Sequence, residues 1–186
     1  GGLALETARS LSAQGAEVRG LLLLDAHLAT ALEYGHEPER QELLDRFVVD
    51  VARMSGRHLT IREFMAVDFG EISDPIAQAM RVLTELECLP SQFSPDEFAV
   101  AFERYMANYN AWRRYEPEPY QGRTSFLASS ESMGDEQRNP LRSWSKTIVG
   151  SMQFSAIVGD HYDVVAEQNA VRVAAACSAL SRGSGR

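Results

Sequence analysis

The chain has 186 residues, 45% of them hydrophobic, and a formal net charge of −8. That is one globular domain's worth of sequence, within the usual range of about 100–200 residues, and enough apolar material for a real core. An acidic chain with no basic footprint argues against a nucleic-acid partner, and no run approaches the roughly 18 apolar residues of a membrane span.

Gly1-Gly2 opens a segment in which Leu3, Leu5, Ala8, Leu11 and Ala13 form an apolar flank opposite Glu6, Arg9 and Gln14. This predicts a crossover helix stopped at Gly15. Val18–Leu24 ends in four leucines, the pattern of a strand covered on both faces in a parallel sheet. Asp25 follows at the carboxyl end of that strand, where open α/β sheets place their ligands. From Asp25 to Tyr120 the pattern is helical, with no convincing strand. Pro38, in a first turn, starts a helix to Met54, and Thr60-Ile61-Arg62-Glu63 has the form of a capping box. Asp74-Pro75 opens Ile76–Leu86, with Ile76, Met80, Leu83 and Leu86 inward and Pro90 as the stop. Ser94-Pro95-Asp96-Glu97 opens the fourth helix, to about Arg114.

Prolines and Gly122 interrupt residues 115–122 and return the chain to sheet. Strands are expected over Arg123–Ala128 and Met152–Val158, with a polar loop over Ser129–Asn139 and a short turn at Pro140–Trp144 that packs Trp144 as a core anchor. A single helix over Val164–Leu180 closes the chain. Cys88 and Cys177 have neither metal nor redox spacing and read as reduced thiols of a cytoplasmic protein. Spacing along the chain yields no metal-ligand set and no phosphate loop, so neither a metal nor a diffusible cofactor is expected.

The strings Gly1 to Leu11, Leu21 to Asp25 and Ile157-Val158-Gly159-Asp160-His161-Tyr162 together resemble the thioesterase domains that release products from nonribosomal peptide and polyketide synthases, which are α/β-hydrolases. The resemblance covers residues 1–27 and about 115–180 well, and the middle poorly. It implies an α/β fold comprising the C-terminal portion of a mostly parallel sheet with flanking helices, divided into a core at residues 1–29, an inserted helical lid at 30–115 and a core again at 116–186. Earlier core strands are expected upstream. In the family order of Ser, then Asp or Glu, then His, the resemblance makes Asp25 the orienting carboxylate and His161 the base. The nucleophilic serine of a G-x-S-x-G elbow then falls about three residues before Gly1. Asp160 and Asp163 are rival orienters on the loop of His161, while His27, His36 and His58 read as surface or lid residues.

The backbone N–H after that serine would supply half of an oxyanion hole. Phe98, Phe102 and Met106 on the last lid helix recur at helical spacing. Such a stripe ordinarily packs, and its functional alternative is a substrate groove. The resemblance further implies a peptidyl, depsipeptidyl or polyketide chain brought as a thioester on the phosphopantetheine arm of an upstream carrier domain. Release by macrocyclisation, with or without oligomerisation, is favoured by the length of the lid. Hydrolytic release, a type II editing thioesterase and a non-catalytic hydrolase-like binding module are the alternatives.

Overall fold

The computed structural model describes residues 1–28, 37–134 and 139–182. The chain forms two compact units, one of Gly1–Glu33 with Trp112–Arg186 and the other of Tyr34–Ala111.

In the first unit, three parallel strands, β1 (Leu21–Leu24), β2 (Thr124–Ser129) and β3 (Met152–Ile157), lie in the order β1-β2-β3. Strand β2 is buried along its whole length, as the centre of such a sheet must be, and Leu24 pairs with Leu127 while Ser129 pairs with Ile157. The three strands therefore end side by side, and the residues beyond Leu24, Ser129 and Ile157 are brought together there. Helix α1 (Gly2–Ala13) precedes the sheet. It buries Leu5 and Ala8, but Leu3 is 84% exposed, so its apolar flank is narrower than the spacing suggests. Strand β1 is also shorter than expected, with Val18 to Gly20 outside it.

Helices α2 (Arg40–Met54), α3 (Ile61–Met65) and α4 (Pro75–Glu85) lie in the second unit, and α5 (Pro95–Arg113) runs out of it. Their termini follow the capping chemistry of the sequence. Thr60 and Glu63 form the expected box, the Asp74 carboxylate accepts from Ile76 and Ala77, and Ser94 exchanges hydrogen bonds with Glu97. Pro38 is not in a first turn, because Glu39 and Glu42 build a box that starts α2 one residue after Glu39. Helix α4 stops before Pro90, with Glu87 already at a φ of +57°. Leu43, Leu44, Val48, Phe64, Leu83, Phe98 and Phe102 make a core belonging to this unit alone.

After β2, Ser130–Gly134 is a helical turn, α6, rather than plain loop. Pro140–Thr147 is a two-turn helix, α7, which Asn139 caps by accepting from Leu141 N–H. The single closing helix is corrected as well. Residues 163–165 and 167–169 form two 3₁₀ turns before α8 (Ala170–Arg182), and the Asn169 side chain donates to the Asp163 carbonyl at 2.8 Å, tying the second turn to the first. Both cysteines are free. Among the described residues no helix is long and apolar enough to cross a membrane.

Candidate active site

Asp25 is the first residue past β1, and its N–H still donates to the Leu127 carbonyl at 2.7 Å. There the chain turns sharply: Asp25 has a φ of +40°, in the left-handed region that aspartate tolerates better than most side chains. Its side chain is fully buried. The carbonyls of the next two residues are held by indoles, Trp144 Nε1 donating to Ala26 at 2.6 Å and Trp112 Nε1 to His27 at 3.2 Å. Trp144 is thus both the expected core anchor and a clamp on the Asp25 turn. Gly1 lies against this turn too, since a Cβ there would meet that of Ala26 at 2.6 Å.

His161 arrives from β3 through a turn built on Gly159, whose φ is +120° and where a Cβ would collide with the Asp163 carboxylate. The loop is stapled from both sides. Ser130 Oγ accepts from Gly159 N–H at 3.1 Å, and Asp160 Oδ1 accepts from the N–H groups of Tyr162 at 2.8 Å and Asp163 at 3.1 Å. Asp163 Oδ2 accepts from Asp160 N–H at 3.0 Å. Asp160 and Asp163 therefore build the loop, while His161 Nδ1 lies 3.0 Å from Asp25 Oδ2. The His161 side chain is 56% exposed, so a fully buried carboxylate holds a solvent-facing imidazole.

Three further side chains complete the carboxylate's surroundings. Ser129 donates to Asp25 twice, from N–H to Oδ1 at 2.8 Å and from Oγ to Oδ2 at 3.0 Å, and Ser132 Oγ donates to Oδ2 at 2.9 Å. His27 Nε2 is 3.7 Å from Oδ2 and 3.3 Å from Ser132 Oγ. Burial pushes the Asp25 carboxyl up, but the hydrogen bonds from His161, Ser129 and Ser132, together with the nearby His27 imidazole, outweigh it and hold the group far below the usual carboxylate range. The carboxylate thus stays charged opposite the imidazole, the arrangement that fixes a histidine's tautomer and stabilises its protonated form.

The family model for the thioesterase domain matches residues 1–180. This chain belongs to the thioesterase domain family. No curated protein matches it, but solved structures do. A four-domain nonribosomal peptide synthetase, in its holo form with AMP and glycine, is 20% identical with a TM-score of 0.76, the match covering 96% of this chain and 13% of that one. The Vlm2 thioesterase domain is 15% identical at a TM-score of 0.59, with coverages of 97% and 64%. The surfactin-cyclising thioesterase domain SrfTE is 14% identical at 0.59, with 99% and 64%. These likenesses give the thioesterase chain the α/β-hydrolase fold, of which it spans about two thirds or less of each relative's length.

Within this thioesterase domain the other expected site residues are placed differently. Phe98 and Phe102 are 1% and 0% exposed in the helical unit's own core, with Phe47 at ring-centroid distances of 5.4 and 5.7 Å. Packing, the ordinary reading of such a stripe, accounts for both rather than the substrate-groove alternative; Met106 is half-buried against the same core. His58 is exposed in the helical unit, and His36 lies outside the described residues. His27 is corrected outright: its side chain is only 19% exposed and stands beside Asp25. One donor atom each from Asp25, His27 and His161 falls within 4.8 Å of the others, a grouping made by the sheet and invisible to spacing along the chain. Ser129, Ser132 and His27 were all missed by sequence reasoning; the available signal was that Ser129 ends the strand paired to β1, and His27 follows Asp25 by two.

Proposed function

We propose that this domain is a serine-dependent thioesterase. In this reading a serine about three residues before Gly1 attacks the thioester carbonyl, His161 takes its proton, and Asp25 orients the imidazole and offsets its charge. The observation that carries it is the 3.0 Å contact of His161 Nδ1 with the buried Asp25 carboxylate, in the family's chain order. The closeness of Gly1 to Ala26 supports the serine's location, because residues just before Gly1 then start beside the Asp25 turn.

The substrate is a peptidyl, depsipeptidyl or polyketide chain carried as a thioester on the phosphopantetheine arm of an upstream carrier domain. A nonribosomal peptide synthetase among the similar structures supports this source. Macrocyclisation is the favoured release route. An inserted unit with four helices among the described residues and a core of its own is more than a short acyl group needs, and confining a long chain raises the effective molarity of its own nucleophile against water. Hydrolytic release is the second reading, supported by the type II thioesterase BorB and human thioesterase 2 among the similar structures.

The test is turnover of a long acyl N-acetylcysteamine thioester by the protein with its native upstream residues. Thiol should be released by the wild type, and His161→Ala should lower kcat by about 10⁶-fold, the scale for loss of a catalytic base. Unchanged turnover in that variant would dismiss His161 as the base.

A further inference from the structure

Two imidazoles and a carboxylate converge where the proposed mechanism uses the carboxylate and only one imidazole. Asp25 Oδ2 is 3.0 Å from His161 Nδ1 and 3.7 Å from His27 Nε2, and Ser132 Oγ stands 2.9 Å from the first atom and 3.3 Å from His27 Nε2. A tetrahedral ion held at about 2.0–2.1 Å from N and O donors needs donors spaced about 3.3–3.4 Å apart; the four distances above bracket that value, and the donor atoms of Asp25, His27 and His161 all lie within 4.8 Å of one another. We propose that Asp25, His27 and His161 form a site for a divalent transition ion, Zn²⁺ foremost, whose binding switches the Asp–His pair off.

The donor set selects the class of ion. Two imidazoles and one carboxylate suit Zn²⁺ and its neighbours, whereas Mg²⁺ and Ca²⁺ favour all-oxygen sets. Ser132 Oγ or water takes the fourth position. Entry is from the His161 side, where the imidazole is 56% exposed while Asp25 is fully buried and His27 is 19% exposed. His27 Nδ1 is buried with no hydrogen-bond partner among the described residues. A ring without an outer acceptor to fix it makes a weaker ligand than those of structural zinc sites, so the ion binds reversibly.

Binding replaces the proton on His161 Nδ1 with the ion, and that proton leaves to solvent. Asp25 then neutralises the metal instead of the imidazolium, and an imidazole already carrying a dication is a poor proton acceptor. The inhibition rests on the role proposed for His161, whereas the binding does not.

Co²⁺ titration of this chain, read by visible absorption, tests the site without any turnover. The wild type should bind one ion with an intense tetrahedral-type band. His27→Gln and Asp25→Asn should each weaken binding about 100-fold or more, at least the cost of losing an outer-shell partner. His58→Gln, altering an exposed histidine of the helical unit, should bind as the wild type does, and circular dichroism certifies the folding of each variant. On the longer native protein, ZnCl₂ should suppress thioester turnover reversibly with EDTA, and His27→Gln should raise the half-inhibiting concentration about 100-fold, each variant normalised to its own metal-free rate. No tetrahedral band, or a band indifferent to His27, overturns the site. A His27-dependent band on a protein without turnover upholds it and overturns the hydrolase reading instead.

Discussion

The two units place their polar groups in opposite ways. In the helical unit they serve mostly termini and surface: Thr60, Asp74 and Ser94 cap helices, Arg40 pairs with Glu103, and apart from Asp45, which accepts from Gln41, the buried set is aliphatic and aromatic. In the sheet unit, Asp25, Ser129 and Ser125 are buried at or near the sheet, and the carboxylate is held by one backbone N–H, two hydroxyls and an imidazole. Burying a charge is costly unless it is paired and hydrogen-bonded, so such an arrangement is kept where its chemistry is used. The helical unit is a packed shape, and the sheet unit carries the groups proposed to react.

Substitutions in the two units should therefore fail differently. Asp25→Asn keeps a side chain that tolerates the left-handed turn but removes the charge opposite His161. It should cost about 10⁴-fold in kcat, with the thermal melt near neutral pH changed far less. Its acid behaviour should change too. Because the folded pKa of Asp25 is depressed, its contribution is present above the ordinary aspartate value of about 3.9 and is lost as pH falls towards the folded value. The wild type should thus lose stability below about pH 4 more steeply than Asp25→Asn, as melts at stepped pH would show.

Phe102→Ala in the helical unit should do the reverse. Removing a fully buried ring costs about 3–5 kcal/mol, visible in denaturant unfolding, while turnover of a short acyl thioester under folding conditions should fall less than tenfold. A large loss of kcat without a loss of stability would break the division between the units. Shortening residues 56–93, which removes part of α3 and α4, has the smallest expected effect on the chemical step and acts on the product instead. Product analysis by mass should show the ratio of ring to linear acid falling about tenfold, as effective molarity is lost, with serine acylation nearly unchanged. Exclusively linear acid from the intact protein, given a substrate with a competent terminal amine or hydroxyl, would leave the hydrolase and remove the cyclase.

What was legible in the sequence was whatever depends on neighbours in the chain. The leucine run into Asp25, the box at Thr60 and Glu63, and the strand leading to His161 all announce themselves locally. The surroundings of Asp25 do not, because they come from register. Pairing of Leu24 with Leu127 sets the Asp25 turn against Ser129 and Ser132, residues more than 100 positions away in a stretch that reads as a polar loop. His27 was missed because a polar residue just past a strand is ordinarily exposed. Phe98 and Phe102 left two readings open, because an aromatic stripe looks the same whether it meets a substrate or Phe47.

Labelling the protein and its native upstream residues with a fluorophosphonate, followed by intact mass and peptide mapping, tests the central claim most directly. The account predicts a single adduct on a serine about three residues before Gly1, formed by the wild type and lost in His161→Ala. An adduct on Ser129 or Ser132, or one that forms equally without His161, would contradict it.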